Sequence, residues 1–210
     1  MKKTRFDHAS RIPFDVDQCL ADFFTKGFYV FSAEAAMCTI PIDKFKVVTE
    51  KHPDNCFHAE GHEFHSELQT RNIMVLRANL TALWLSKIAE HELIFDFYSD
   101  KCNDHVVNFH SDAQYAHPGQ NATVNCFFDD MSPEVGGRFD MAPYRADLLW
   151  TSDGVPGMSS VYPKKFDVII FNQNRNFMHK VIPASVTRRM ISFACVLKDI
   201  NPLHPNWVPG

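Results

Sequence analysis

From about residue 93 onward the chain is written in short β-rich runs, and this rhythm constrains the fold more than any other feature. The runs fall at 93–98, 106–110, 122–128, 138–141, 166–171, 178–182 and 189–197, with loops of Gly, Pro, Asn and Asp between them. Strands this short must find partners on both edges, so such a series implies an antiparallel sandwich or barrel. Upstream the pattern differs. Val16, Leu20, Phe23 and Phe24 share a face at helical spacing over 15–25, Gly27 ends that helix, and Phe28-Tyr29-Val30-Phe31 has strand composition. Leu76, Leu80, Leu83, Leu85 and Ile88, with Ala78, Ala82 and Ala89, predict a long amphipathic helix over 68–91. The expectation is a mostly β protein with N-terminal helices: a helical support region over 1–92 and a β-core over 93–200. At 210 residues and 45% hydrophobic content, the chain supports one sizeable core rather than two, so 1–210 is read as a single domain.

The β frame carries a set of side chains with a defined chemistry. On a strand, His110 and Asp112 point to one face, because side chains alternate with a period of two. His179 follows the strand-like run 166–171 and a polar turn at 172–176, and a hairpin return would bring it beside His110. Two imidazoles and one carboxylate form the facial triad that holds non-haem Fe(II) and leaves coordination positions open. Arg188 and Arg189 follow His179 closely. The planar fork of a guanidinium suits a carboxylate, so either could grip a dicarboxylate co-substrate. Adjacent strand residues face opposite ways, so only one of the two can point inward.

Longer segments carry a resemblance. They are Phe109-His110-Ser111-Asp112, the run from Ala122 to Asp130, Gly136-Gly137-Arg138-Phe139, the run from Phe166 to Phe171, and His179-Lys180-Val181-Ile182-Pro183 ahead of Arg188-Arg189. Together, over 110–197, they resemble the double-stranded β-helix (jelly-roll) core of the Fe(II)- and 2-oxoglutarate-dependent dioxygenases, most closely the prolyl-hydroxylase-like branch. The resemblance implies that His110, Asp112 and His179 are both the iron ligands and the catalytic centre. It implies that Arg189 pairs with the distal carboxylate of 2-oxoglutarate, with Arg188 as the rival. The chain departs from the family where Thr187 replaces a glycine two before that arginine, and Ile191 a serine two after it. The carboxylate of Asp112 disfavours halogenation, which needs a small residue there. The implied reaction uses Fe(II), 2-oxoglutarate and O2 to oxidise an unactivated C–H. Hydroxylation is the default, and desaturation or ring closure would use the same residues. The expected substrate is a small molecule such as an amino acid or biosynthetic intermediate, because no separate peptide-binding module is evident. The alternatives are a peptidyl substrate, a non-catalytic jelly-roll binding protein, and a protein using another divalent metal.

Other classes are disfavoured. With a net charge of -4 the chain lacks the basic footprint of a nucleic-acid binder. No stretch approaches the roughly 20 apolar residues of a membrane span. After Met1-Lys2-Lys3 come Thr4, Arg5, Asp7 and His8, so the apolar segment of a secretory signal is not expected. Six cysteines without a CxxC pair point to thiols in a reducing compartment, and the expected location is the cytoplasm. The oligomeric state is not readable. Cys56, His58, His62 and His65 could bind zinc, but Pro53, Asp54, Asn55 and Gly61 favour a solvated polar loop. The connection over 144–162, with Trp150, Gly154, Pro156 and Gly157, is either a lid or a packed excursion.

Overall fold

A computed structural model of the chain describes residues 4–6, 14–38, 50–51, 57–58, 89–100, 107–110, 122–144, 155–172, 176–186 and 188–197. The first helix, α1 (Val16–Thr25), starts where the Asp15 carboxylate accepts the backbone N–H of Gln18 at 2.9 Å. That cap satisfies one of the orphan donors of the first turn. The chain leaves α1 through Gly27 at φ +84°, and a Cβ there would collide with the Phe177 ring. Glycine thus supplies both the left-handed turn and the close approach. Next come β2 (Phe28–Ser32) and the four-residue helix α2 (Glu34–Met37).

Most of the other described residues lie in two five-stranded sheets. The first runs in the order β2, β10 (Asp167–Asn172), β7 (Ala122–Phe127), β12 (Arg188–Leu197), β5 (Ala89–Asp100), every pair antiparallel. The second runs β1 (Thr4–Phe6), β9 (Ser159–Val161), β8 (Phe139–Pro143), β11 (Phe177–Val181), β6 (Val107–His110). Its pairs are antiparallel except β1 with β9. Phe28, Val30, Phe127, Ile169 and Phe171 of the first sheet form one buried cluster with Phe139, Met141, Val161 and Phe177 of the second, so the sheets pack face to face. Each such aromatic or aliphatic side chain contributes about 1.5–3 kcal/mol by leaving water. Helix α1 packs on β2 and β10, and every residue of β7 and β10 is buried.

The seven expected runs are all strands, displaced by a few residues at their ends. Several expectations are corrected. The region expected to be helical support contributes not only β2, at the run expected to be a strand, but also the unexpected edge strand β1. The last residues of the helix predicted over 68–91 belong to β5, where Ala89 pairs with Leu197 and His91 with Val196. Pairing along β12 there overrides the helical preference of alanine. The remainder of that predicted helix lies outside the described residues. Within the polar, histidine-rich segment, β3 (Glu50–Lys51) and β4 (Phe57–His58) pair as a short hairpin, while Cys56, His62 and His65 lie outside the described residues. The connection over 144–162 contains β9, and Val155, Met158 and Val161 are buried, so its second half is packed structure.

Among the described residues no helix is long and apolar enough to cross a membrane. Cys19, Cys38 and Cys126 form no disulfide. Burial on the inner side of α1, with Asp22 and Asp15 nearby, pushes the Cys19 thiol up to about 12. A thiol protonated over the whole physiological range is chemically inert.

Candidate active site

The second sheet brings the two histidines together. His179 of β11 sits directly across from His110 of β6, and their ring centroids are 4.2 Å apart. His179 is buried, with its ring 5.0 Å from that of Phe171 and 5.8 Å from that of Phe139. Both phenylalanines belong to the inter-sheet core, so the imidazole pair faces the space between the sheets. The β6–β11 register shifts between His179 and Val181. Such irregularities re-aim side chains and often lie beside active sites. Two imidazoles side by side, one of them enclosed by aromatic rings, suit a divalent transition metal. Asp112, the third expected ligand, lies outside the described residues. Among the described residues no group of three or more His, Cys, Asp or Glu side chains is placed to hold a metal.

The two arginines part company. Met190 pairs with Phe127 and packs against the inter-sheet core. Strand alternation places Arg188 on that same inner face, and Arg188 is 6% exposed. Arg189 stands on the outer face and binds Asp129. Its Nη2 donates to Oδ1 at 2.6 Å, its Nε to Oδ2 at 3.0 Å, and its backbone N–H to Oδ2 at 2.7 Å. The backbone N–H of Phe128 in turn donates to the Arg189 carbonyl at 3.0 Å.

Thr123 and Asn125 of β7 are buried polar residues that the sequence reading overlooked. They pair with Phe171 and Ile169, both core residues, and so share the inner face. The available signal was two polar residues at alternate positions in an otherwise apolar strand, Ala122-Thr123-Val124-Asn125-Cys126-Phe127. A second overlooked feature lies behind the histidines, on the outer face. Asp140 is fully buried, and Arg138 grips it bidentately at 2.7 and 2.8 Å. The ammonium of Lys180 is 4.0 Å from the same carboxylate and 4.9 Å from the centre of the Phe109 ring. These charges tie β8 to β11 one residue away from His179.

The path from His179 to the arginines is also held. Gly136 and Gly137 have φ of +86° and +74°, and a Cβ on Gly136 would overlap the Pro183 carbonyl. That close approach lets Gly137 N–H donate to Pro183 O at 3.2 Å, while Ile182 N–H donates to Arg138 O at 2.8 Å.

No protein-family model matches the sequence, and no curated protein matches it significantly. Solved structures do match in fold. An oxidoreductase of the 2OG-Fe(II) oxygenase family from Burkholderia pseudomallei aligns with a TM-score of 0.61 at 13% identity, covering 93% of this chain and 95% of that one. A prolyl hydroxylase from Trichoplax adhaerens, solved with a hypoxia inducible factor peptide, aligns with a TM-score of 0.55 at 12% identity, covering 86% and 88%. The non-heme alpha ketoglutarate dependent epimerase SnoN from nogalamycin biosynthesis aligns with a TM-score of 0.54 at 14% identity, covering 86% and 82%. With two face-to-face sheets, a histidine pair between them and these neighbours, the chain has the fold shared by the prolyl hydroxylases and other 2OG-Fe(II) oxygenases.

Proposed function

We propose that the protein is an Fe(II)- and 2-oxoglutarate-dependent dioxygenase that hydroxylates an unactivated C–H of a small molecule on a jelly-roll core. The observation that carries this reading is the cross-strand pair His110–His179, enclosed between the sheets of a fold that such enzymes share. The jelly-roll assignment rests on connectivity. Successive strands from β5 to β12 alternate between the two sheets, apart from the β8–β9 hairpin. Wound in that way, strands bring residues from opposite sheets to one interior.

In this reading His110, His179 and Asp112 hold the metal. Bound iron would supply O2 activation, with 2-oxoglutarate as the source of two electrons. The chain's own contributions are position and shelter. Phe139 and Phe171 flank His179 and keep water from its ring, which strengthens every electrostatic interaction in the site. We assign the distal carboxylate of 2-oxoglutarate to Arg188 rather than to Arg189. Arg188 lies on the inner face, whereas the fork of Arg189 is occupied by Asp129. Thr123 and Asn125 add polar groups to the same interior.

A small-molecule substrate accords with the fold likeness to SnoN of nogalamycin biosynthesis. A peptidyl substrate is the second reading, favoured by the likeness to the peptide-bound Trichoplax enzyme. We assign the protein to the cytoplasm, where thiols such as Cys19 and Cys38 stay reduced. The test is succinate formation from 2-oxoglutarate across a panel of amino acids, biosynthetic intermediates and short peptides. Asp112→Ala should abolish it. Arg188→Ala should raise the apparent KM for 2-oxoglutarate far more than Arg189→Ala does. An active Asp112→Ala protein, or the opposite ranking of the arginines, would overturn the corresponding assignment.

A further inference from the structure

We infer that Asp129 is a positioning residue that decides which of two adjacent, chemically equivalent arginines enters the space between the sheets. The inference rests on the assignment of Arg188 to the co-substrate carboxylate. In a strand, a slip of one residue moves every side chain to the opposite face. At Arg188-Arg189 such a slip would exchange one guanidinium for another, so the local chemistry alone does not distinguish the registers.

Asp129 breaks that equivalence. It lies just past the end of β7, beside the start of β12. Its carboxylate accepts three hydrogen bonds from one residue, Arg189: one from the backbone and two from the guanidinium. A backbone bond and a side-chain fork from the same residue can meet one carboxylate only when that residue's side chain points outward. The Phe128 N–H to Arg189 carbonyl bond closes the same short ladder from the other side. With Arg189 held outward, alternation turns Arg188 inward.

The Arg189 and Asp129 side chains retain 27% and 19% of their exposure. Solvent screening limits what such a pair adds to global stability. Its consequence is therefore local, and a merely structural role predicts a different pattern. The experiment is calorimetric titration of 2-oxoglutarate into the full chain loaded with Mn(II), with Mn(II) affinity measured separately. Asp129→Asn should weaken 2-oxoglutarate binding about tenfold, equivalent to about 1.4 kcal/mol, with Mn(II) affinity unchanged. Asp129→Glu should recover most of the loss. Parental 2-oxoglutarate affinity in Asp129→Asn would overturn the inference, and so would a parallel loss of Mn(II) and 2-oxoglutarate binding. Should Asp129→Asn fail to fold, Arg189→Lys keeps the charge without the fork. It should still weaken 2-oxoglutarate binding, and parental affinity there would overturn the inference equally. Arg188→Ala separates the two levels. If it abolishes 2-oxoglutarate binding while Asp129→Asn does not, the co-substrate assignment stands and the positioning role falls. If it binds like the parent, the co-substrate assignment itself is wrong.

Discussion

The two sheets meet in one core but differ in what they carry on their outer faces. At the centre of the sheet built on β7 and β10 the outer face is apolar: Val124, Cys126, Val168 and Ile170 are all fully buried on the face away from the core. The sheet built on β8 and β11 alternates histidine inward with charge outward, as His179 and Lys180 show side by side. On the outer face of the first sheet, substitutions in β7 and β10 change packing alone. The second combines a reactive inner face with an ionic outer one, so substitutions one residue apart should fail in different ways.

The sharpest separation is expected at His179. His179→Ala should abolish tight Fe(II) or Mn(II) binding, because it removes half of the cross-strand imidazole pair, while the fold persists. Calorimetric metal titration beside circular dichroism would show this, and a variant that binds metal like the parent would remove the site from this sheet. The neighbouring face should respond the other way. Asp140→Ala leaves Arg138 and Lys180 without their buried carboxylate, a loss of about 3–5 kcal/mol, read as a large fall in Tm. A small fall would mean that the charges on this sheet are dispensable. Alkaline pH tests the cover over the apolar sheet. Burial lets the Cys19 thiol hold its proton to about 12 in the folded protein, well above the ordinary 9.0 of an exposed thiol. The folded protein thus binds the extra proton in that window, so stability falls as pH rises through it and is unaffected below it. Denaturant midpoints should decline there, and Cys19→Ala should decline less steeply. The smallest effect is expected at the end of the same helix, where Asp15→Ala removes the N-cap and should cost about 1 kcal/mol in chemical denaturation.

The same contrast explains what the sequence could reveal. The β-core was legible because runs such as Asp167-Val168-Ile169-Ile170-Phe171 are apolar on both faces and can only be buried strands. The histidine pairing was legible, since His179 does lie across from His110, but the expected hairpin was not the route: β10 and β11 belong to different sheets. The strands β1 and β9 were not legible. Three residues such as Ser159-Ser160-Val161 are too few to show a period, and the β1–β9 pairing joins residues far apart in the chain, Thr4 with Ser159. The inward arginine was not legible either. Spacing from His179 counts residues along a loop, but the face is set by Met190 opposite Phe127 and by Asp129, which lies 60 residues away in the chain. The resemblance that names Arg189, with Arg188 as its rival, makes no reference to the partner strand that sets each residue's face.

The pairing of β2 with β10 also bears on how the protein comes into being. Phe28-Tyr29-Val30-Phe31 hydrogen-bonds to Val168-Ile169-Ile170-Phe171, near the other end of the chain. During synthesis this aromatic strand emerges well before its partner, which lies more than a hundred residues further along. Until then its backbone edge is open to pairing with whatever else is near. Helix α1, immediately upstream and packed on the same strand, is the one described neighbour that can reach it early. Contacts of such sequence separation also make for slow folding. A fold that pairs such distant strands therefore leaves the nascent chain with a sticky segment to protect until its partner arrives.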